Sequence, residues 1–339
     1  MELTQEITNT EKVTFTLRPA VLDDIDAVVA LVNAASVDQV GRPITNAKDI
    51  LEDWNMPSFK LDLMTRVAEL PDGEIIGFIE AWDTDPVPVL NWVWARVHPQ
   101  YEGQGVGTAL MDWADERLQQ IVSRVPEDAR VTYLSAAVST HSRSKKFFED
   151  RGMEFVRRFW HMMIEFDGPP PEPVWPDGIQ LSTYGERDDL RAIVRADNEA
   201  FQDHWGHVPQ PEDELVKEFQ EWIDSQDDFD PELWFLAMDG DEIAGLCLCK
   251  RKRVEYPGAA WINVLGVRRA WRKQGLGLAL LHHAFGVFYR EGKKKAGLGV
   301  DSSNLTGATR LYEKAGMAVV KQDDAYEKEI RAGRELGKK

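Results

Sequence analysis

Apolar and polar residues alternate along the chain with two different periods, and the order in which these periods follow one another occurs twice. Phe15-Thr16-Leu17-Arg18 steps as a short strand. Asp23 to Ala35 spaces its apolar residues as a helix does, with acidic residues in the first turn where they complement the helix dipole. A strand pair hinged at Pro71-Asp72-Gly73 follows (Thr65 to Leu70 and Glu74 to Trp82), then a strand from Leu90 to Val97. That strand runs into Gly103-Gln104-Gly105-Val106-Gly107 and a helix ending near Val122. A strand at Val131 to Val138, a helix at Ser142 to Arg151 and a last strand from Glu154 to Phe166 complete the unit.

The second half offers the same series. Gln180-Leu181 begins it, a helix runs from Glu186 to Phe201, and a strand pair turns at Asp239-Gly240-Asp241. Trp261 to Val267 leads into a second glycine loop and a helix through Arg290. A strand at Ala296 to Val300, a helix from Thr306 to Ala315 and a final strand pair from Met317 are expected after it. Gly275 follows Gly105, and Gly277 follows Gly107, by the same 170 positions; Gly316 follows Gly152 by 164, so one short loop differs in length. A repeat of this size implies duplicated domains, since solenoid units are much shorter. The proline-rich run 167–178 can sustain neither a helix nor a central strand and reads as an extended linker. The expected division is therefore 13–166, a linker at 167–178, 179–332, and a charged tail at 333–339.

Composition narrows the class. With 43% apolar residues, and 14 Phe and 12 Trp to fill cores, both units should be globular. A net charge of −18 disfavours nucleic acid or an anionic membrane as partner, because both are bound through basic surfaces. It suits either solubility or a cationic small molecule. Cys247 and Cys249 fall on one face of a strand, too close in sequence for an easy disulfide, and no second Cys/His pair completes a zinc site. They read as core residues in a reducing compartment. Met1 to Lys12 is polar, and no run of about 18 apolar residues occurs, so a cytoplasmic protein without a metal is expected. The runs Lys250-Arg251-Lys252-Arg253 and Lys293-Lys294-Lys295 read as basic surface, and Asp224 to Glu232 as a solvated loop.

The glycine loops carry the chemistry. Glycines at alternate positions let the backbone approach a ligand and aim several N–H groups at one place. With a helix N-terminus behind them they form an anion site suited to a pyrophosphate. The second loop, Arg272-Lys273-Gln274-Gly275-Leu276-Gly277, is neither the dinucleotide G-x-G-x-x-G nor a Walker loop. Together with Leu265-Gly266-Val267 before it, and with Asn304 and Leu311-Tyr312-Glu313-Lys314-Ala315-Gly316-Met317 after it, it resembles the acetyl-CoA motifs of the GNAT N-acetyltransferase superfamily. The resemblance covers each half almost end to end, and the layout is similar to that of tandem members such as mycothiol synthases.

That resemblance implies an α/β (α+β) architecture of two tandem GNAT-like domains, each a mixed, mainly antiparallel sheet flanked by helices. It implies acetyl-CoA as co-substrate. The main chain of Leu265 and Val267 would hold the pantetheine arm, and N–H groups from Lys273, Gln274, Gly275, Leu276 and Gly277 the pyrophosphate. Arg272 would add charge and Asn304 a further contact. Tyr312 would stand near the thioester sulfur and stabilise the departing thiolate; Leu311 and Tyr312 also fit a purely structural helix face. In the first half, Glu102 stands at the Arg272 position, Phe148 at that of Tyr312 and Thr140 at that of Asn304. Its glycines persist, so Val97, Gly103, Gln104, Gly105, Val106 and Gly107 form at best a weak second cofactor site in a degenerate domain.

On the acceptor side, an amine must lose a proton before it attacks. The segment with Asp203, His204 and Trp205 lies where the superfamily shapes its acceptor pocket, with His204 a candidate base; Phe201 and Trp205 equally fit a packing role. Asn263, two residues before Leu265, could order a water. The expected activity is direct acetyl transfer to a primary amine of a small molecule by the second half. Acetylation of a thiol-sugar amine and a non-catalytic acyl-CoA-binding role are the alternatives, and the oligomeric state is open between monomer and dimer.

Overall fold

The computed structural model describes residues 13–304 and 307–337; the polar stretch Met1 to Lys12, the expected helix start at Thr306 and the last two tail residues lie outside them. The first half folds as β1 (Thr16–Arg18), α1 (Ile25–Val40), α2 (Ala47–Trp54), α3 (Leu61–Met64), β2 (Thr65–Glu69), β3 (Ile75–Trp82), β4 (Leu90–Val97), α4 (Val106–Ile121), β5 (Val131–Val138), α5 (Ser142–Asp150) and β6 (Glu154–Glu165). The second half follows as β7 (Ile179–Thr183), α6 (Tyr184–Arg187), α7 (Leu190–Phe201), α8 (Glu212–Asp224), β8 (Trp234–Asp239), β9 (Glu242–Lys250), β10 (Ala259–Val267), α9 (Leu276–Arg290), β11 (Lys295–Asp301), α10 (Ala308–Lys314) and β12 (Ala318–Arg331).

All twelve strands join one sheet in the order β1-β2-β3-β4-β5-β12-β6-β11-β10-β9-β8-β7. The two halves exchange their last strands. β6 pairs with β11 of the second half, β12 pairs with β5 of the first, and β6 and β12 pair with each other at the centre. The sheet is antiparallel except at β4/β5 and β10/β11, which run parallel over their first few residues only. Helices α4 and α9 cover one face, building cores around Leu110, Met111 and Leu118 in one half and Leu280, Phe285 and Phe288 in the other. Helices α1 and α7 cover the opposite face.

Two expectations are corrected. The final strand pair from Met317 is one strand, Ala318–Arg331. Its polar middle suggests a turn, but the charges are paired across strands: Asp324, 1% exposed, accepts from Arg158 Nε at 2.6 Å and faces Lys145 Nζ at 3.0 Å. The single helix from Glu186 to Phe201 is two. Asp188 takes a left-handed conformation (φ 47°), and a new helix starts at Asp189, whose carboxylate accepts from the Ala192 N–H at 2.9 Å. Helices α2, α3 and α8 lie in segments for which no element was expected.

Because β6 and β12 are each bonded into the other half, the linker is not what holds the halves together. A protease site placed within 167–178 and cut in the folded protein should leave both fragments co-eluting in native size exclusion, and separating only in denaturant. Fragments that part in buffer would refute the exchange.

Candidate active site

β10 leaves β11 part-way along its length. The parallel pairing stops at Ile262 with Leu298, while β10 continues against β9 to Val267. The register with β9 slips between Ile262 and Val264, so exposed Asn263 is the extra residue of a bulge. The matching strand β4 pairs regularly with β3 from Gly77 to Trp82. The divergence opens a slot beside Leu265 and Val267, and α9 begins at its mouth.

The glycine loop is shaped as the anion-site reading requires. Lys273 (φ 63°) and Gly275 (φ 92°) are left-handed, Lys273 being one of two non-glycine residues so placed among the described residues. Gly275 caps α9, and the first bonds within the helix are donated by Leu278 and Ala279 to the Gly275 carbonyl at 3.1 Å. The N–H groups of Leu276 and Gly277 therefore have no acceptor within the helix. A β-carbon on Gly277 would meet Leu311 at 3.0 Å, and one on Gly266 would meet Ala200 and Phe201 at 3.0 Å, so both glycines are needed for close packing. Leu276 itself is core, and the Gln274 side chain donates to the Ala270 carbonyl. Asn304 lies in the turn after β11, its N–H donating to the Asp301 carbonyl at 3.1 Å.

Arg272 is placed differently from the expectation. Its Nε donates to the Val267 carbonyl (3.0 Å), its Nη2 to the Ala200 carbonyl (2.8 Å), and its Nη1 faces Asp203 at 3.3 Å. The guanidinium thus ties the end of β10 to the end of α7, and Val267 O already has one donor. Asp203 is held well below the usual carboxylate range, at about 2, by Arg269 and then Arg272. Its charge is spent on the loop arginines. His204 rests edge-on against Phe201 (4.5 Å between centroids), and burial lowers its pKa, so it is neutral at pH 7. Trp205 lies under Arg157 of β6, 4.9 Å from the ring centroid.

Tyr312 is buried in the core of the second half, and burial, then the neighbouring Cys247, pushes its phenol up. Cys247 and Cys249 are both buried, with sulfurs 3.6 Å apart.

Two cavities lie on the α1/α7 face. The first, about 560 Å³, is bounded by α2, β3 and β4, and includes Asp49, Asp53, Glu80 and Asp85 with Trp82, Trp92 and Trp94; Arg253 reaches it from the other half. The second, about 410 Å³, lies between α7, α8 and the loop at 206–210, and includes Asp197, Asn198, Phe201, His207 and Gln210. Asp85, Leu90 and Trp92 border both, so the cavities are adjacent. Neither is lined by Asp203, His204 or Trp205.

Asp197 was missed by sequence reasoning. One carboxylate oxygen is buried without a hydrogen-bond partner, and burial alone pushes the group up to about 7. The available signal is its position: it sits among Ile193, Val194, Ala196 and Ala200, the buried residues of α7. Four residues on, Phe201 links this cavity to Gly266 of β10.

In the first half, Gly103 and Gly105 keep their left-handed conformations (φ 77° and 94°), and Val106 is fully buried. Gly107 approaches Phe147, and Val97 lies beside it. Glu102 is paired with Arg143, and Arg96 occupies the position 170 residues before Gly266. Among the described residues no group of three or more His, Cys, Asp or Glu is arranged to hold a metal ion. Among the described residues no helix is long and apolar enough to cross a membrane.

Residues 190–317 match the acetyltransferase (GNAT) family and residues 64–152 an acetyltransferase (GNAT) domain. A mycothiol acetyltransferase of Streptomyces bingchenggensis is 30% identical over 78% of this chain and 80% of its own length. One from Streptomyces scabiei is 29% identical over 90% and 91%. A GCN5-related N-acetyltransferase from Sphaerobacter thermophilus superposes with a TM-score of 0.80 at 34% identity, covering 96% of this chain and 98% of that one. A tandem GNAT protein from the clavulanic acid biosynthesis pathway shares the fold at 16% identity (TM-score 0.73, covering 95% and 100%). The chain belongs to the GNAT acetyltransferase family, with two such domains in tandem, and is an N-acetyltransferase.

The burial of Asp197 has a measurable consequence. A carboxyl whose folded pKa is raised holds its proton longer in the native state, so its contribution to stability falls as pH rises from about 4 to about 7. Asp197→Asn should therefore stabilise the protein at pH 8, by roughly 1–3 kcal/mol, and have little effect at pH 5. Thermal unfolding at the two pH values checks this; equal shifts at both would show the carboxylate is solvated.

Proposed function

We propose that the second half of this GNAT protein, residues 179–332, transfers the acetyl group of acetyl-CoA directly to a primary amine of a small molecule bound in the cavity beside α7. On this reading residues 13–166 are a degenerate domain that supplies one wall of the acceptor site. The observation that carries the assignment is the divergence of β10 and β11 at a glycine-capped helix, with a buried tyrosine in the core that Leu265, Val267 and Leu276 share. The first half has the divergence and the glycines, but has Phe148 for Tyr312, Glu102 for Arg272 and no bulge in β4.

Acetyl-CoA supplies an activated acyl group; this chain must hold it and move two protons. Unbonded N–H groups from Lys273 to Gly277, at the positive end of α9, suit the pyrophosphate. The open edge of β10 at Leu265 and Val267 suits an amide-bearing arm. Arg272 acts by fixing β10 to α7, which sets the spacing between cofactor strand and acceptor cavity. The amine nitrogen then bonds to the acetyl carbon as the carbon–sulfur bond breaks. Asp197 takes the amine's proton and Tyr312 gives one to the departing sulfur. A base of pKa near 7 matches the operating pH, and a phenol kept protonated by burial is a ready donor. Asn263, exposed on its bulge, is assigned a water between amine and base. His204 and Trp205 support the loop around the cavity, and Asn304 contacts the cofactor from the turn after β11. The relatives named mycothiol acetyltransferase favour a second reading of the acceptor, a thiol-sugar amine.

CoA release across a panel of amines, including that thiol sugar, tests the activity. Tyr312→Phe should lower kcat by about 10²–10⁴ while calorimetric binding of acetyl-CoA, one per chain, is kept. In the wild type kcat/KM should rise with pH through about 7. Asp197→Asn should be slower and lose that inflexion. Wild-type activity in Tyr312→Phe, or an unchanged profile in Asp197→Asn, would remove that residue from the mechanism.

A further inference from the structure

The first cavity is more than the wall of the second. Glu80 is 7% exposed and lies at its base, its two oxygens accepting from the indole N–H groups of Trp54 and Trp82, each at 3.1 Å. Asp53, exposed at the surface, lines the same cavity. Among the described residues neither carboxylate has a basic side chain within ion-pairing distance. The basic residues nearby are engaged elsewhere. Lys250 lies 3.8 Å from Glu52 and Lys252 2.9 Å from Asp228. Arg253 lies over Trp261 at 4.4 Å and 3.7 Å from Glu255.

A buried carboxylate without a cation is costly unless a ligand supplies one. The rest of the lining says what kind. Trp82 and Trp92 offer aromatic faces, which attract alkylammonium groups, while one face of Trp94 already carries the Arg96 guanidinium at 4.3 Å. Asp85 and Trp92 line both cavities, so the two lie side by side. In the second cavity one buried oxygen of Asp197 has no hydrogen-bond partner.

We infer that the acceptor is an elongated aliphatic diamine or polyamine. One ammonium is held by Glu80 and Asp53 among the tryptophans of the first half, and the amine at the other end lies in the second cavity to be acetylated. The inference rests on the acetyl-transfer reading above and names its substrate class. The second ammonium keeps its proton and takes no part in bond making; it fixes the reacting end. Burial and the mutual repulsion of Asp53, Glu80 and Glu52 raise the carboxyl pKa of Asp53 to about 7 in the empty protein, so binding of a dication should also release protons.

The experiment compares α,ω-diamines of two to eight carbons with monoamines of the same length, by CoA release and by calorimetry on the full chain. At the best length a diamine should exceed its monoamine in kcat/KM by tenfold or more. Glu80→Gln and, separately, Asp53→Asn should collapse that ratio towards one, with the loss in KM rather than kcat. Diamines no better than monoamines at any length, or a ratio unchanged in folded Glu80→Gln and Asp53→Asn, would overturn the inference and leave acetyl transfer standing. Diamine binding that depends on Glu80, without CoA release from any amine, would overturn acetyl transfer and leave the cation site standing.

Discussion

Everything in this molecule is arranged around the pairing of β6 with β12. Each is the last strand of its own half, yet each completes the sheet of the other, so the centre of the sheet belongs to both copies. The exchange turns the α1 and α7 faces towards one another and makes a shared cleft. It also forces charged side chains into the seam. Glu255, 4% exposed, is surrounded by Lys321 (3.1 Å), Arg42 (3.7 Å) and His161 (3.7 Å), and Lys321 also meets Asp323 at 3.1 Å. His161 shares a 2.7 Å hydrogen bond with Tyr256, and burial, then Lys321, brings its pKa down to about 4. A network with several partners per charge specifies one docking of the halves, where a purely apolar seam would tolerate several.

Duplication explains why the fold was legible in the sequence. Two copies of strand, glycine loop and helix at a fixed offset identify a unit, and β4, β5, α9 and the strand beside each loop fall where periodicity put them. The exchange was not legible. Hydrophobic alternation records that β6 and β12 are strands, but nothing in it says which edge they join, because each meets an equivalent sheet edge in either half. β12 hid for a related reason. Its Gln322-Asp323-Asp324 run looks like a turn until Arg158 and Lys145 are placed beside it.

The site was legible in proportion to how much of it is backbone. Glycine and positive-φ positions are written into residue type, so the loop and its helix could be read directly. Side chains that act through partners could not. Arg272 was expected to add charge at the loop because of its place in the motif; its contacts with the Val267 and Ala200 carbonyls and Asp203, which tie β10 to α7, could not be read from the sequence. Asp203 and His204 looked like acceptor-binding groups because they are polar and close to a helix end. Two of the carboxylates that line the cavities, Asp197 and Glu80, lie in helix and strand positions where an acidic residue reads as a solvated face until the fold encloses it.

The acidity of the chain takes on a different meaning in this light. A net charge of −18 spread over a surface would serve solubility and say little about function. Here part of it is enclosed. Glu80 is bonded only by indole N–H groups, which satisfy its lone pairs without neutralising it. The segment Lys250 to Arg253 passes close by, and its charges could have closed the account; they are drawn off by Glu52, Asp228 and Glu255. A protein that gained nothing from those carboxylates would be more stable with amides or apolar residues there, since buried charges are dispensable for folding. The burial of Glu80 beside tryptophans, in a cavity adjacent to the one beside α7, therefore supports the proposal of a cation that comes and goes with the reaction. On the proposed reading, the half with Phe148 and Glu102 in place of a tyrosine and a loop arginine still has a function: its carboxylates and tryptophans would recognise one end of the molecule that the other half modifies.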